Sequence, residues 1–220
     1  MAAKFIQVSS TDQVITNCVV LLRRHLEQGD RVLWLVSGGS VIPIAAAVAQ
    51  QLTGIPLAKL TVSLTDERPG PVGHADSNWL GLKQAGFQLP GATLHPILTG
   101  VTTYVDSANY SSFLDQALDR ADYRFALFGI GPDGHTAGIP ARYPSPFHEP
   151  AMYYQADGFE RISITPGGLG RLDEAAVYMA GENKREAFNR FQANLPPQEQ
   201  SAQYLKVIPK LTVYSEFKGD

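Results

Sequence analysis

The feature that most restricts the fold is an alternation, along the whole chain, of short apolar runs with longer amphipathic segments. The run "RVLWLV", residues 31–36, is continuously apolar after its first residue, as expected for a strand buried on both faces of a parallel sheet. Pro43 suits the first turn of the helix predicted for "IAAAVAQQL", and Gly54 ends that helix. Strands that alternate with helices predict an α/β fold with a mostly parallel sheet.

The alternation continues to both ends of the chain, without an internal repeat or a low-complexity tract. A stretch with four prolines, "GIPARYPSPFHEPAMYY", is predicted to be a surface loop beside the functional site. We therefore expect a single domain over residues 1–220. The remaining predicted strands are "KFIQV", "LTVSL", "RFALF", "RISIT", "AAVYMA" and "LTVYS". A further helix is predicted from the caps Ser9, Ser10 and Thr11 to about Gln28. The other predicted helices are "SNWLGLKQA", "SANYSSFLDQALDRA" and "NKREAFNRFQANL".

Charge and composition exclude several classes of function. The formal net charge of −3 gives no electrostatic basis for binding nucleic acid or an anionic membrane. No apolar run approaches the ~20 residues of a transmembrane helix, and the first ten residues lack the apolar centre of a secretion signal. Cys18 is the single cysteine, so an internal disulfide is excluded and a cytoplasmic location is expected. Its helical pattern predicts a core position for Cys18.

Three loops that follow predicted strands carry unusual residues. The first is "SGGS", Ser37–Ser40, where two glycines allow close approach of a ligand and the start of a helix favours an anion. Its spacing matches neither the P-loop nor the dinucleotide-binding pattern. The second, "TDERPGPVGHADSN", contains Asp66, Glu67 and Arg68, of which the arginine suits bidentate recognition of a phosphate.

The third loop is "FGIGPDGHTAGIP", residues 128–140, with Asp133 and His135 among its glycines. These two side chains are candidate acid–base groups. Each loop also has a structural interpretation: a serine-capped turn, a solvated run of charges, and a structural histidine. In open α/β sheets, ligands bind at the carboxyl ends of the strands. One shared cleft explains all three loops together, and we therefore expect them to meet there.

Taken together, five segments resemble the 6-phosphogluconolactonase family, within the wider group that includes glucosamine-6-phosphate deaminases. They are "SGGS", "TDERPGPVGHADSN", "GIGPDGHTA", "RISIT" and "GENK", in the family's order and at similar separations. The resemblance covers nearly the whole chain. It implies a Rossmann-like α/β domain, with helices on both faces of the sheet, that hydrolyses 6-phospho-D-glucono-1,5-lactone in the oxidative pentose phosphate pathway. It also implies that no metal or organic cofactor is needed and that the partner is a small phosphorylated sugar lactone.

The resemblance also assigns roles to individual residues. His135 corresponds to the histidine that acts on water, with Asp133 beside it, and Asp66 to an aspartate that transfers a proton in the deaminases. After His135 the chain reads "HTAGIPARYPSPF" where the family usually has "HTASLFPG", a departure that concerns the sugar-facing wall. The residues implied to bind the phosphate are Ser37, Gly38, Gly39, Ser40, Arg68 and Lys184.

Elementary chemistry is consistent with these roles. A lactone is an activated ester, so a histidine that takes a proton from water and returns it to the ring oxygen is sufficient. Backbone amides of the glycine loop or Arg68 are candidate donors to the oxyanion. Three alternatives stay open: a deaminase or isomerase that uses Asp66 as its base, a non-catalytic sugar-phosphate binding protein, and a metallohydrolase that uses His74, Asp76 and His135 as ligands.

Overall fold

The main feature of the fold is a seven-stranded sheet in which every neighbouring pair of strands is parallel. The computed structural model describes residues 3–141, 148–156 and 158–219. The elements are β1 (Lys4–Gln7), α1 (Asp12–Glu27), β2 (Val32–Val36), α2 (Ile42–Gln51), β3 (Leu60–Leu64), β4 (Asp66–Glu67), α3 (Asn78–Gln84), β5 (Thr93–His95), α4 (Thr103–Arg120), β6 (Tyr123–Gly129), β7 (Ala151–Ala156), β8 (Phe159–Ile164), α5 (Pro166–Leu169), β9 (Glu174–Met179), α6 (Arg185–Gln192) and β10 (Lys210–Ser215).

The order of the strands places a crevice at the centre of the sheet. The sheet runs β1-β10-β9-β6-β2-β3-β5, so the chain leaves β2 toward β3 on one side and later returns to β6 on the other. Such a reversal of strand order separates the connections that leave the two central strands, and ligands bind in the opening between them. The loops after β2 and β6 are the first and third loops singled out in the sequence.

A buried core holds the sheet to the flanking helices. All five residues of β2 are buried, and Trp34 at its centre is fully buried and packs against Phe87. On α1, Val14, Cys18 and Leu22 lie four residues apart and are completely buried, as one face of a helix requires. Each such large apolar side chain contributes about 1.5–3 kcal/mol relative to an exposed position. The predicted core position of Cys18 is confirmed.

The predicted α/β fold with a mostly parallel sheet flanked by helices is confirmed, with one addition. The short strand β4 and the hairpin β7–β8 form a separate three-stranded antiparallel sheet. "RISIT" is therefore a strand outside the main sheet. "AMYY", at residues 151–154, belongs to β7, so the prediction of a surface loop over this stretch is wrong there; residues 142–147 of the same stretch lie outside the described residues.

Short elements and element ends differ from the sequence prediction. The sequence pattern did not predict β4 and β5, which have two and three residues. Helix α4 begins four residues earlier than expected, because Thr102 accepts a hydrogen bond from the N–H of Val105 and caps it. Among the described residues, no helix has the length and apolar character needed to cross a membrane.

Candidate active site

A single cleft opens at the carboxyl ends of the central strands, and all three loops line it. Every catalytic or phosphate-binding residue implied by the resemblance lies on its wall except Asp133, which contacts His135; His74 and Asp76 of the metallohydrolase alternative do not line it. The lining residues are Ser37, Gly38, Gly39, Ser40, Asp66, Arg68, Asn78, Gly129, Ile130, Gly131, Pro132, His135, Ala137, Arg161 and Lys184.

Backbone hydrogen bonds that extend the sheet hold the first two loops in register. The N–H of Ser37 donates to the carbonyl of Leu127 at 3.0 Å, and the N–H of Thr65 donates to the carbonyl of Val36 at 2.9 Å. The residues that follow β2 and β3 therefore continue the parallel ladder for one further step before the chain turns. This continuity explains why the three loops meet at one level above the sheet.

The glycine loop after β2 has the properties of an anion site. It leads through a 3₁₀ turn, Gly39–Val41, into α2, so its backbone amides lie at the positive end of a helix dipole. Lys184 reaches it from the start of α6, and its Nζ donates to Oγ of Ser40 at 3.1 Å. Burial lowers the pKa of Lys184, because the charged form loses water; a bound anion would restore the stability of that form.

The two glycines of this loop serve different geometric needs. Gly39 has φ +67° and open space where a Cβ would stand, so it is suited to a left-handed turn. A Cβ on Gly38 would lie 2.0 Å from Oδ1 of Asn78. The absence of a side chain at Gly38 therefore allows Asn78 to approach the loop.

Asn78 connects the first loop to the second. Its Nδ2 donates to the carbonyl of Asp66 at 2.9 Å, and its Oδ1 accepts from Nη1 of Arg68 at 2.8 Å. A carbonyl can only accept and a guanidinium can only donate, so the orientation of this amide is fixed. The same Nη1 also donates to the carbonyl of Asp76 at 3.0 Å. One end of the Arg68 guanidinium is thus held by the protein, on the wall of the cleft.

Glu67 is completely buried and anchors this second loop. Its carboxylate accepts hydrogen bonds from the N–H groups of Asn78 and Trp79 at 2.7 and 3.0 Å, and from the hydroxyl of Ser77 at 2.9 Å. A negative charge at the first turn of α3 is favourable because of the helix dipole. Glu67 thus has a structural role, and it places its neighbours Asp66 and Arg68 toward the cleft.

Arg161 is a site residue that the sequence pattern did not predict. The antiparallel pairing of β8 with β4 sets Ile162 opposite Glu67 and Ser163 opposite Asp66, which brings Arg161 to the cleft. Its Nε lies 3.7 Å from Oδ2 of Asp66, and its guanidinium stacks on the ring of Phe159 at 4.5 Å. The only sequence signal for Arg161 was its position as a charged residue at the start of the apolar run "RISIT". Asn78 was not predicted as a site residue either, although it ends the "DSN" of the second loop.

Asp66 is a nearly buried carboxylate in the wall of the cleft. Burial raises its pKa, while the Arg161 guanidinium and the hydroxyl of Thr65 act in the opposite direction. Burial lowers the pKa of Arg161, and the positive charge of Arg68 lowers it further. Two arginines and one carboxylate thus share a small volume, and this gives the cleft a cationic surface.

The glycine loop after β6 presents a histidine whose orientation is fixed. Nδ1 of His135 lies 2.6 Å from Oδ1 of Asp133, and the same oxygen accepts from the N–H of His135 at 3.2 Å. The hydrogen bond from His135 lowers the pKa of Asp133, so this carboxylate is ionised and Nδ1 carries the proton. In the neutral ring, the other nitrogen, Nε2, is then the acceptor.

The shape of this loop depends on glycine at two positions. A Cβ on Gly131 would lie 2.3 Å from the His135 ring, and Gly134 has φ +89°. The N–H of Gly131 donates to the carbonyl of His135 at 2.9 Å, and the N–H of Gly134 donates to the carbonyl of Gly131 at 3.0 Å. These two amides stabilise the loop itself.

The remaining histidines with described side-chain contacts have structural partners. His25 pairs with Asp30 at 2.7 Å and stacks on Tyr123, and His95 stacks on Phe113. His74 contacts the carbonyl of Arg68. Among the described residues, no three His, Cys, Asp or Glu side chains come together in a way that could hold a metal ion, which leaves the metallohydrolase alternative without a ligand set there.

The arrangement combines two chemical capabilities in one cleft. Arg68, Arg161, Lys184 and the amides of the first loop can bind a phosphate. The His135–Asp133 pair can move a proton to and from a water molecule. A ligand that carries both an anionic group and a hydrolysable carbonyl would engage both sets of groups.

Comparison with known proteins places this architecture in a family. The model of the family described as glucosamine-6-phosphate isomerases/6-phosphogluconolactonase matches residues 8–212. A 6-phosphogluconolactonase of Synechocystis sp. is 27% identical over 198 residues, which cover 82% of this chain and 79% of that protein. A 6-phosphogluconolactonase of Pseudomonas putida is 32% identical over 183 residues, which cover 72% of this chain and 74% of that protein.

Solved structures share the fold at lower sequence identity. The crystal structure of a 6-phosphogluconolactonase from Thermotoga maritima superposes with a TM-score of 0.83 and 19% identity, covering 97% of this chain and 99% of that one. A monomeric glucosamine-6-phosphate deaminase superposes with a TM-score of 0.77 and 13% identity, covering 96% of each chain. Both likenesses concern the fold alone.

Proposed function

The chain belongs to the glucosamine-6-phosphate isomerase/6-phosphogluconolactonase family, and from this premise we propose that it hydrolyses 6-phospho-D-glucono-1,5-lactone to 6-phosphogluconate. The observation that carries the proposal is the presence, in one cleft, of a cationic anion site and a histidine held by a carboxylate. The reaction is the hydrolysis of a carboxylic ester. It belongs to the oxidative pentose phosphate pathway.

In this mechanism the phosphate fixes the sugar before any bond changes. Lys184, Arg68 and the amides of the Ser37–Ser40 loop bind the phosphate, and Arg161 adds positive charge on the same wall. Restricting the substrate to one orientation lowers the entropic barrier of the reaction and presents one face of the carbonyl to water. The substrate's anionic end supplies the binding energy, while the chemistry occurs at the other end.

The proton transfers of the hydrolytic step take place between water, His135 and the ring oxygen. Nε2 of His135 takes a proton from water as the water oxygen bonds to the lactone carbonyl carbon. The resulting tetrahedral intermediate collapses with cleavage of the bond to the ring oxygen, which receives the proton from the imidazolium. Asp133 stabilises the imidazolium that forms between the two steps and keeps Nδ1 as the donor. The products are the open-chain acid and a regenerated neutral histidine.

The donor to the oxyanion is best supplied by an arginine. The N–H groups of Gly131 and Gly134 are engaged within their own loop, so these amides are poor candidates. Arg68 is used for the phosphate in this mechanism, whereas Arg161 lines the same cleft and is held in place by Phe159. A guanidinium beside the carbonyl oxygen would stabilise the negative charge that develops there.

A lactonase assay tests the proposal directly. Freshly prepared 6-phosphogluconolactone is mixed with the protein, acid release is followed, and the spontaneous rate is subtracted. We expect an enzymatic rate that saturates with substrate and that inorganic phosphate inhibits competitively. Binding of 6-phosphogluconate without any acceleration of hydrolysis would instead support a non-catalytic sugar-phosphate binding protein.

One observation favours a second candidate, a glucosamine-6-phosphate deaminase or isomerase. The family model includes these enzymes, and Asp66 lies in the cleft wall with its pKa raised by burial, as suits a base that moves a proton between carbons. Ammonia release from glucosamine 6-phosphate distinguishes this candidate from the lactonase. The deaminases resemble "DEY" where this chain has "DER", with Arg68, and "NGH" where it has "DGH", with Asp133. Both differences favour the lactonase.

We also propose that the protein acts in the cytoplasm, on a small-molecule partner. Support comes from Cys18, whose thiol is fully buried, and burial raises its pKa to about 12. Such a thiol is unreactive, and the sequence contains no second cysteine with which it could form a disulfide. The net charge of −3 offers no basis for a nucleic-acid partner.

A further inference from the structure

Beneath the cleft, three buried polar side chains form a hydrogen-bonded row. Oγ of Ser37 lies 2.6 Å from Oγ1 of Thr65, and Oγ1 of Thr65 donates to Oδ1 of Asp66 at 3.0 Å. Thr65 is completely buried, while Ser37 and Asp66 are about 95% buried and reach the cleft wall. Thr65 was not singled out in the sequence and does not line the cleft.

The direction of each hydrogen bond in this row follows from the carboxylate. Among the described residues, the two groups near Oδ2 of Asp66 are donors, the Nδ2 of Asn78 at 3.4 Å and the Nε of Arg161 at 3.7 Å, so this carboxyl group acts as an acceptor. Oγ1 of Thr65 likewise donates its single hydroxyl proton to Oδ1 of Asp66. The 2.6 Å contact with Ser37 then requires Ser37 to be the donor.

Ser37 therefore offers the cleft an acceptor and no proton. A serine hydroxyl has one proton and two lone pairs, and in Ser37 the proton is committed to Thr65. A phosphate oxygen needs a donor, so the side chain of Ser37 is unsuited to it. A sugar hydroxyl, which can donate, is the matching group.

Ser40, three residues later, has the opposite polarity. Nζ of Lys184 donates to its Oγ at 3.1 Å, so a lone pair of Ser40 is used and its proton is left available. Ser40 can donate that proton to a phosphate oxygen next to the positive charge of Lys184. Two serines of one loop thus present opposite hydrogen-bonding groups to the same cleft.

We propose that Ser37 accepts a hydrogen bond from a hydroxyl of the sugar, that Ser40 donates to the phosphate, and that Thr65 is the positioning residue that fixes this division. The inference rests on the proposed function for the identity of the ligand, a phosphorylated polyhydroxy acid or its lactone. It assigns specificity for the sugar to a position otherwise grouped with the phosphate loop.

The test compares the binding of two ligands, 6-phosphogluconate and inorganic phosphate, by calorimetry. Ser37→Ala should weaken 6-phosphogluconate about 3- to 10-fold, the loss of one neutral hydrogen bond, and leave the affinity for inorganic phosphate unchanged. Ser40→Ala should weaken both ligands by a similar factor. Equal weakening of both ligands by Ser37→Ala would overturn the proposal.

Variants of Thr65 test the positioning role. Thr65→Val has the same shape but no hydroxyl, so the Ser37 proton loses its acceptor; we expect the selectivity for 6-phosphogluconate over inorganic phosphate to fall as in Ser37→Ala. Thr65→Ser keeps the hydroxyl and should restore that selectivity, which a purely structural role of the methyl group would not predict. Unchanged selectivity in a folded Thr65→Val variant would remove Thr65 from the site. If Thr65→Val does not fold, Ser37→Ala still tests the direction of the bond.

These outcomes are separable from failure of the proposed function. Both ligands are bound without turnover, so the comparison is valid even for a protein that does not hydrolyse the lactone. Native binding of 6-phosphogluconate with no lactonase activity would refute the proposed function and leave the division between Ser37 and Ser40 standing. Lactonase activity together with equal losses of affinity for both ligands in Ser37→Ala would support the proposed function and refute the division between Ser37 and Ser40.

Discussion

Oδ1 of Asp133 lies 2.6 Å from Nδ1 of His135 and accepts a second hydrogen bond from the backbone N–H of the same residue at 3.2 Å. One carboxylate oxygen therefore both stabilises the turn and fixes the orientation and the tautomer of the imidazole. From the sequence alone, a structural and a catalytic interpretation of this loop are alternatives. The geometry is compatible with both at once.

Replacement of His135 should remove the base. We expect His135→Ala to lower turnover of the lactone about 10²- to 10⁴-fold, the usual contribution of a general acid–base group, and to leave the affinity for inorganic phosphate largely intact. His135→Asn should not rescue turnover, because an amide does not accept and return a proton near neutral pH. The measurement is the initial rate of lactone hydrolysis with the spontaneous rate subtracted.

A second histidine provides a matched control for this substitution. His25 forms the same type of pair with Asp30, at 2.7 Å, near the end of α1. His25→Ala should keep the turnover of the folded protein. A fully active and well-folded His135→Ala variant would show that His135 takes no part in the mechanism.

Asp133→Asn should lower turnover less than loss of the histidine, by about 10-fold, because the amide oxygen can still accept from Nδ1 but carries no charge to stabilise the imidazolium. It should also change the pH dependence of stability. The pKa of Asp133 is lowered in the folded state, so its contribution to the free energy of unfolding is present above its unfolded pKa of ~3.8 and is lost as the pH falls through the lowered value. Denaturation at several pH values should show wild type and variant converging in acid.

Asp66 should contribute a pH dependence of stability opposite to that of Asp133. Its pKa is raised by burial, so the ionised side chain opposes folding above the raised pKa, and this effect disappears below the unfolded value of ~3.8. The free energy of unfolding of Asp66→Asn, measured relative to that of wild type, should therefore be higher at pH 7 than at pH 3. The substitution should also lower activity. If the difference in the free energy of unfolding between wild type and Asp66→Asn is the same at both pH values, the pKa of Asp66 is not raised.

The two glycines of the first loop provide a paired test of geometry. Gly38→Ala places a Cβ 2.0 Å from Oδ1 of Asn78, so Asn78 must move and release Arg68; we expect a KM at least 10-fold higher and a destabilisation of about 1–3 kcal/mol. Gly39→Ala meets no atom within 4 Å but forces alanine to φ +67°, which costs about 1–2 kcal/mol. Its KM should rise less. Equal KM values in the two variants would indicate that Asn78 does not control Arg68.

Removal of Arg68 tests the anion site itself. Loss of a bidentate, charge-assisted contact costs about 1.5–3 kcal/mol, so Arg68→Ala should weaken binding of the phosphorylated substrate by roughly 10- to 150-fold. Arg31 is a suitable control, since its pair with Asp122, at 2.8 Å, lies at the opposite, amino end of β2. Arg31→Ala should leave KM unchanged. If Arg68→Ala also leaves KM and turnover unchanged, the phosphate is bound elsewhere.

The sequence determined the class of fold and the edge of the sheet at which the candidate site lies. Runs such as "RVLWLV" cannot be exposed on either face, so they specify a parallel sheet covered by helices, and the direction of parallel strands sends every βα loop to one edge. The three loops after β2, β3 and β6 could for this reason be expected to meet. Periodicity predicted the long elements, whereas two- and three-residue strands such as β4 and β5 carry too few positions to show a pattern.

Only the tertiary structure decided which additional residues complete the cleft. Arg161 reaches Asp66 because β8 pairs with β4 in a second, antiparallel sheet, and no local pattern encodes the pairing of strands separated by about a hundred residues. The hydrogen-bonding direction of Ser37 likewise depends on Thr65 and Asp66, which follow a different strand, β3. A sequence specifies which groups a chain carries, but the direction of a hydrogen bond is set by the full set of neighbours, because each hydroxyl has a single proton to donate.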